Sequence, residues 1–191
     1  MIKIGILGDI GSGKSYVANN FGYPVFNADF EVGKLYKEDR KIFNKLKKVL
    51  PKHIYSYPIK KNEISKVILA NKSNLKKIVK IIHLEIRKKM SIFLSKNRNR
   101  KIVILDIPLL LENKINKKND ILVFVKSKKL EILKRLKKRK NFNPKLLSKF
   151  KNIQLPPHYK KQRSQFVIKN DFTKKSVKRD IKNILKKIFI K

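Results

Sequence analysis

The sequence predicts an α/β fold in which a parallel sheet is flanked by helices, with an inserted helical lobe and a lid. Three observations carry that expectation. The short apolar run Ile4-Gly5-Ile6-Leu7 leads directly into Gly8-Asp9-Ile10-Gly11-Ser12-Gly13-Lys14-Ser15. Further short apolar runs at 102–105, 121–125 and 166–168 alternate with amphipathic helical patterns, as strands do when crossover helices join them side by side. Between the second and third of the expected strands lies a helical stretch, 30–97, too long for a minimal crossover.

In chain order, 2–7 reads as a buried strand, short, apolar and stopped by glycine. Gly8 to Ser15 has the spacing of a phosphate-binding loop: Gly, four free positions, then Gly-Lys-Ser, which lets successive amide hydrogens curl around a polyphosphate. This makes the fold P-loop NTPase-like. A helix over 14–21 would add the positive end of its dipole. Residues 23–26 read as the second strand and run into Asn27-Ala28-Asp29, which places Asp29 beyond a strand's carboxyl end, the edge where open α/β sheets bind ligands. The helical stretch carries apolar residues three and four apart, as in Ile42, Leu46, Val49 and Leu50, and again in Leu75, Ile78, Val79, Ile82 and Ile86. Pro51 and Pro58 interrupt it, and 71–74 resembles a turn and helix start. Next come a strand over 101–106 ending in Asp106, a turn and short helix over 108–112, a strand over 121–125 and a helix over 130–140. The polar stretch 141–163 is the expected lid. A last strand over 166–168 and a helix over 176–188 close the chain.

A length of 191 residues suits one well-buried domain with small lobes, since a chain of this size buries about 70% of its unfolded surface. The formal charge is +38, from 51 Lys plus Arg against 13 Asp plus Glu. Such a charge suggests nucleic acid or an anionic surface. The lysines, however, are spread along most of the chain rather than gathered in one tail, and Lys, Asn, Ile and Phe are all frequent, as in a composition drifting toward A/T-rich codons. With no cysteine, disulfides, thiolate zinc sites and cysteine nucleophiles are excluded. The phosphate loop begins too near the first residue to leave room for a signal peptide, and no apolar stretch approaches the ~20 residues of a membrane span. A cytoplasmic protein is expected.

Several residues suit phosphoryl transfer. Lys14 offers a point charge to the β- and γ-phosphates, and the Ser15 hydroxyl can ligate magnesium. Asp106, at the tip of the strand expected beside the loop, can hold magnesium or one of its waters; equally it can cap the turn before Pro108. Asp29 can take the proton of an acceptor hydroxyl or cap the helix that follows. His83 and Arg87 lie four apart on one helical face and can reach one phosphate or ribose, or simply pack and solvate. Arg135 and Arg139 are spaced alike. His53 and His158 have no acid or cysteine cluster near them in sequence and are read as non-metal.

Over nearly its whole length the chain resembles the dephospho-CoA kinase family. Gly8 to Ser15 match that family's loop except at Asp9, Asn27-Ala28-Asp29 stands for its Asp-Ala-Asp, and Pro108-Leu109-Leu110-Leu111-Glu112 matches its Pro-Leu-Leu-hydrophobic-Glu signature. Gln154-Leu155-Pro156 and Ile168-Lys169-Asn170 match two shorter motifs. Departures are Tyr16 for a threonine, Leu84 for a proline after His83, and Phe150, flanked by Lys149 and Lys151, for a lid arginine. The resemblance implies ATP-dependent phosphorylation of the ribose 3′-hydroxyl of dephospho-coenzyme A, the last step of coenzyme A synthesis. It implies a nucleotide core at 1–29, 101–140 and 164–191, a coenzyme A-binding helical lobe at about 30–100, and a lid at about 141–163.

By the same resemblance, Asp29, Lys14 and Arg139 are catalytic. Gly11, Ser12, Gly13, Lys14, Ser15, Tyr16, Arg139 and Asn170 bind ATP, with Asn170 close to the adenine. Asp29, His83, Arg87, Pro108, Leu109 and Glu112 line the acceptor side, and Ser15 and Asp106 serve Mg2+. The expected partner is the small molecule dephospho-CoA, with no specific nucleic acid and no membrane, and a monomer is the default state. Two rivals are a kinase for another small hydroxyl acceptor, of nucleoside or shikimate type, and a catalytically idle, basic nucleic-acid-binding NTPase relative. Against the second stand the absence of an aromatic-interleaved basic patch and the presence of both Asp29 and Asp106.

Overall fold

A computed structural model describes residues 1–140 and 142–190; Asn141, the first residue of the expected lid, and Lys191 lie outside the described residues. The strands among them are β1 (Ile2–Gly8), β2 (Val25–Asn27), β3 (Ile102–Asp106), β4 (Ile121–Lys126) and β5 (Phe166–Lys169). They form one five-stranded sheet in the order β2-β3-β1-β4-β5, every pairing parallel. The helices are α1 (Lys14–Asn20), α2 (Ala28–Glu38), α3 (Arg40–Val49), α4 (Lys61–Ala70), α5 (Lys72–Lys96), α6 (Lys129–Lys137), α7 (Pro144–Lys151), α8 (Pro157–Gln162) and α9 (Lys174–Phe189). Residues 108–114 form turns, where a short helix was expected over 108–112. Asn113 N–H bonds to Leu109 O, but Lys114 takes a positive φ of 50° and Ile115 N–H turns back to Leu110 O, which closes the segment before a helix can propagate. Among the described residues no helix is long and apolar enough to cross a membrane.

The chain divides into two compact units. The nucleotide unit comprises Met1–Asn27, Asn97–Phe142 and Lys151–Lys191; the helical unit comprises Ala28–Lys96 and Asn143–Phe150. The expected lid segment is thus shared, with 143–150 in the helical unit and the rest of its described residues in the nucleotide unit.

In the nucleotide unit, strand alternation sends one set of side chains to each face of the sheet. One face carries Ile4, Ile6, Ile102, Ile104, Val123 and Ile168, covered by Val17 of α1 and Phe21 at its C-cap and by Val177, Ile181 and Ile184 of α9. Strands β1, β3 and β4 are buried on both faces over most of their length, so they read in sequence as nearly unbroken apolar runs. On the other face, a Cβ at Gly5 would lie 2.5 Å from Leu110 Cδ2 and 3.0 Å from Leu122 Cδ2, so β1 has a glycine where the 108–114 turn presses onto the sheet. The closing helix α9 starts at a network in which Thr173 caps Ser176 N–H and the Asp171 carboxylate accepts from Thr173 and Ser176. Those hydrogen bonds, led by the Ser176 hydroxyl, hold the Asp171 carboxyl down at about 2.

The helical unit is held by apolar stripes. Leu35 of α2, Ile42 and Leu46 of α3, Val67 of α4 and Ile78 and Ile82 of α5 are all buried. Asp39 caps α3 by accepting from Ile42 N–H at 3.0 Å. The loop before α4 is organised by Glu63, 1% exposed, which accepts from Tyr55 and Ser56 amides and from the Ser56 hydroxyl. Burial pushes the Glu63 carboxyl up, but these hydrogen bonds and the Lys60 amide outweigh it and hold it below the ordinary glutamate value.

Candidate active site

The phosphate loop joins β1 to α1 in the nucleotide unit, and two glycines explain its path. Gly8 has φ 150°, and a Cβ there would lie 2.7 Å from Ser12 Oγ and 2.8 Å from Val125 O. Gly13, the residue before α1, has φ 88°, and a Cβ there would collide with Asn170 Nδ2. Neither position tolerates another residue without strain. Lys14 Nζ donates to Gly8 O at 3.0 Å and Asp9 O at 2.8 Å, which folds the ammonium back over the loop. Ser12 N–H also donates to Asp9 O at 3.1 Å. The loop therefore uses the carbonyl of Asp9, which any residue supplies, and its curl survives the departure from glycine at that position.

The Ser12 carbonyl is held from two sides. Asn170 Nδ2 donates to it at 2.8 Å and Ser127 Oγ at 3.0 Å. Asn170 is 2% exposed, and its Oδ1 accepts from Phe172 N–H at 2.9 Å. The Asn170 side chain thus ties the loop to the turn after β5. Phe172, at φ 66°, approaches Gly13, and the Arg135 guanidinium lies 4.3 Å from its ring centroid. Arg139 is exposed just beyond the end of α6, where its N–H bonds to Leu136 O. The two arginines therefore do not share a helical face as their spacing suggested, because α6 stops at Lys137.

Asp106 ends β3 beside the loop strand. It faces Asn27 in register across the β2–β3 pair, and Asn27 Nδ2 donates to its Oδ2 at 2.8 Å. Ser15 is exposed in the first turn of α1. Among the described residues no group of His, Cys, Asp and Glu makes an all-protein metal cage. Pro108 and Leu109 lie half-buried in the turn after β3. Glu112, the last residue of that signature, is engaged within the nucleotide unit by Lys160 and by Leu155 N–H.

The other expected acceptor-side residues are in the helical unit. Asp29 lies inside the first turn of α2, which begins at Ala28, so it acts on the helix as a favourable charge near the dipole's positive end and not as its N-cap. His83 and Arg87 are on α5, which packs against α2 and is tied to it by the Lys89–Glu31 ion pair at 3.2 Å. Burial, helped by the Arg87 charge, lowers the His83 pKa and favours the neutral imidazole.

Comparison with known proteins decides the family. The model of the family described as CoaE, dephospho-CoA kinase, matches residues 2–176. The chain belongs to the dephospho-CoA kinase family. It is 35% identical over 187 residues to the dephospho-CoA kinase of Wolbachia sp. subsp. Brugia malayi (strain TRS), covering 95% of each chain. The crystal structure of TT1252 from Thermus thermophilus superposes with a TM-score of 0.79 and 26% identity over 97% of each chain. A dephospho-CoA kinase from Campylobacter jejuni superposes with a TM-score of 0.63 at 19% identity, covering 97% of this chain and 96% of that one, which shows the shared fold.

Of the residues that brace the loop, sequence reasoning missed Ser127 and Phe172. Ser127 carried a usable signal, a lone hydroxyl just past the carboxyl end of the strand expected over 121–125, which the structure pairs with β1. Phe172 carried none, because nothing local marks a residue that takes a positive φ to approach the loop. Of the two lysines flanking Phe150, Lys149 is committed elsewhere: its Nζ donates to Ile68 O and Leu69 O at the end of α4, at 2.8 and 2.9 Å.

Proposed function

We propose that the chain transfers the γ-phosphoryl group of ATP to the ribose 3′-hydroxyl of dephospho-coenzyme A, giving coenzyme A and ADP. The observation that carries this reading is family membership across 2–176, a span that includes the intact loop, Asp29, the acceptor-side residues on α5 and the 108–112 signature.

Chemically, the loop amides of Gly11, Ser12 and Gly13 and the Lys14 ammonium offset charge that builds on the bridging and terminal oxygens of the β- and γ-phosphates. To do so Lys14 exchanges its two carbonyl partners for phosphate oxygens, a trade of neutral acceptors for charged ones. Tyr16, Arg139 and Asn170 complete the ATP side, Asn170 by holding the Ser12 carbonyl. The oxygen donors of Ser15 and Asp106 fit Mg2+, which binds through one or two protein oxygens plus substrate phosphates and not through a protein cage. When bound there it would neutralise charge on the β- and γ-phosphates. Asp29 accepts the 3′-hydroxyl proton as the acceptor oxygen bonds to the γ-phosphorus and the bond to the ADP oxygen breaks. His83 and Arg87, with Pro108 and Leu109, orient the acceptor, His83 as a neutral donor and Arg87 as a charge.

The test is ADP release from Mg-ATP by the purified chain in the presence of dephospho-CoA, adenosine-type nucleosides or shikimate, with the product identified by mass. Turnover with dephospho-CoA and a product 3′-phosphorylated on the ribose are expected. Faster turnover with a nucleoside or shikimate, or none with any acceptor, overturns the reading.

A further inference from the structure

Among the described residues Lys160 is the largest fully buried side chain, 1% exposed, and phosphate transfer as derived above gives it no task. Its Nζ lies 2.8 Å from Glu112 Oε1 and donates to Gln154 Oε1 at 3.3 Å. Glu112 Oε1 also accepts the Leu155 N–H at 2.9 Å, across 43 residues of sequence. Its other oxygen, Oε2, is shut off from solvent and takes no hydrogen bond from a described residue. Both partners of the carboxylate therefore belong to the segment 154–160. On the other side of the contact, Leu110 seats the turn carrying Glu112 over Gly5 of the central strand β1. The chain re-enters the nucleotide unit at Lys151, shortly before Leu155, after its passage through 143–150. A buried ion pair stabilises no better than an apolar pair of equal volume, but it is directional, and it binds Leu155 and Lys160 directly, and Gln154 through Lys160, to one carboxylate.

We propose that Glu112 and Lys160 are positioning residues for phosphoryl transfer. Together they set the point at which the chain returning from 143–150 is anchored on the nucleotide unit, and Glu112 acts through Leu155 and Lys160, not by touching the acceptor. This rests on the kinase reading above.

The experiment compares the full-length chain with Glu112→Gln, Lys160→Met and the double variant, measuring melting temperature, kcat, and KM for ATP and dephospho-CoA at a temperature where circular dichroism shows each to be folded. Glu112→Gln keeps an acceptor for Leu155 but strips Lys160 of its counter-charge, so its melting temperature falls by about 5–10 °C. Its kcat falls about tenfold while both KM values stay within about twofold. The double variant buries no charge and regains most of the melting temperature, yet its kcat stays low because the ties that Lys160 makes to Gln154 and to position 112 are gone. Should Glu112→Gln not fold, the double variant gives the kcat readout.

A raised KM for dephospho-CoA at unchanged kcat would make Glu112 an acceptor ligand and overturn the proposal. Unchanged kcat in the folded variants, or a double variant no more stable than Glu112→Gln, overturns it as well. Failure of the kinase reading shows separately, as no coenzyme A formed by the unaltered chain, and removes the positioning role with it.

Discussion

Asp29 stands two residues beyond Asn27, the β2 residue that pairs with Asp106, and lies within the first turn of α2. Asp29→Asn keeps size and hydrogen-bonding capacity but removes the base, so kcat should fall by about 10²–10⁴-fold. Losing one charge from the first turn costs about 0.3–1 kcal/mol. Calorimetry should show ATP affinity unchanged, because the loop and Lys14 are untouched; a variant with full turnover would leave Asp29 as a helix-terminal charge and nothing more. Glu63 makes a second residue-scale prediction. Its carboxyl is held below the ordinary glutamate value in the folded chain. The unfolded chain thus takes up this proton first as pH falls, so the stabilisation is complete above the unfolded value and is lost as pH drops through the folded one. Glu63→Gln should flatten the acid limb of the melting-temperature profile relative to the unaltered chain. Identical acid limbs would show that other carboxylates control it.

At the scale of elements, α4 ends on carbonyls that its own turns cannot satisfy, and Lys149 reaches them from α7. The contact joins segments 80 and 81 residues apart and brings a cation to the negative end of the helix. Lys149→Met keeps the aliphatic stem but returns those carbonyls to solvent, which should cost about 1–2 kcal/mol. In a chain of this length that lowers the melting temperature by about 2–8 °C, readable by calorimetry or fluorescence. An unchanged melting temperature would mean that water caps α4 equally well. The same contact commits Lys149, one of the two lysines flanking Phe150, to the end of α4.

For the whole molecule, the charge of +38 is far larger than a phosphate loop requires. Lysines on nearly every exposed helical face produce a diffuse field that attracts polyanions, ATP included, without shaping a site for one of them. Duplex DNA should bind weakly and without sequence preference, and the affinity should fall steeply from about 50 to 200 mM salt as counterion release loses its advantage. Fluorescence anisotropy with two unrelated duplexes across that range checks this. A tight, sequence-selective complex at the higher salt would assign the charge a specific nucleic-acid role.

By itself the sequence determined the sheet-and-helix pattern, the phosphate loop and the family, because these rest on local constraints. A buried strand reads as an apolar run, an amphipathic helix as spacing of three and four, and the loop as glycines and a lysine at set intervals. Only the tertiary structure decided how the loop is braced and which signature residues point at one another. Ser127 and Asn170 reach the Ser12 carbonyl from 115 and 158 residues away, Glu112 meets Leu155 across 43, and Arg135 stacks on a phenylalanine whose backbone leaves the ordinary region to meet Gly13. Polar pairings of this kind have no period along the chain. They are chosen by which buried donors and acceptors lack partners once the strands are in register, and that register exists only in the folded molecule.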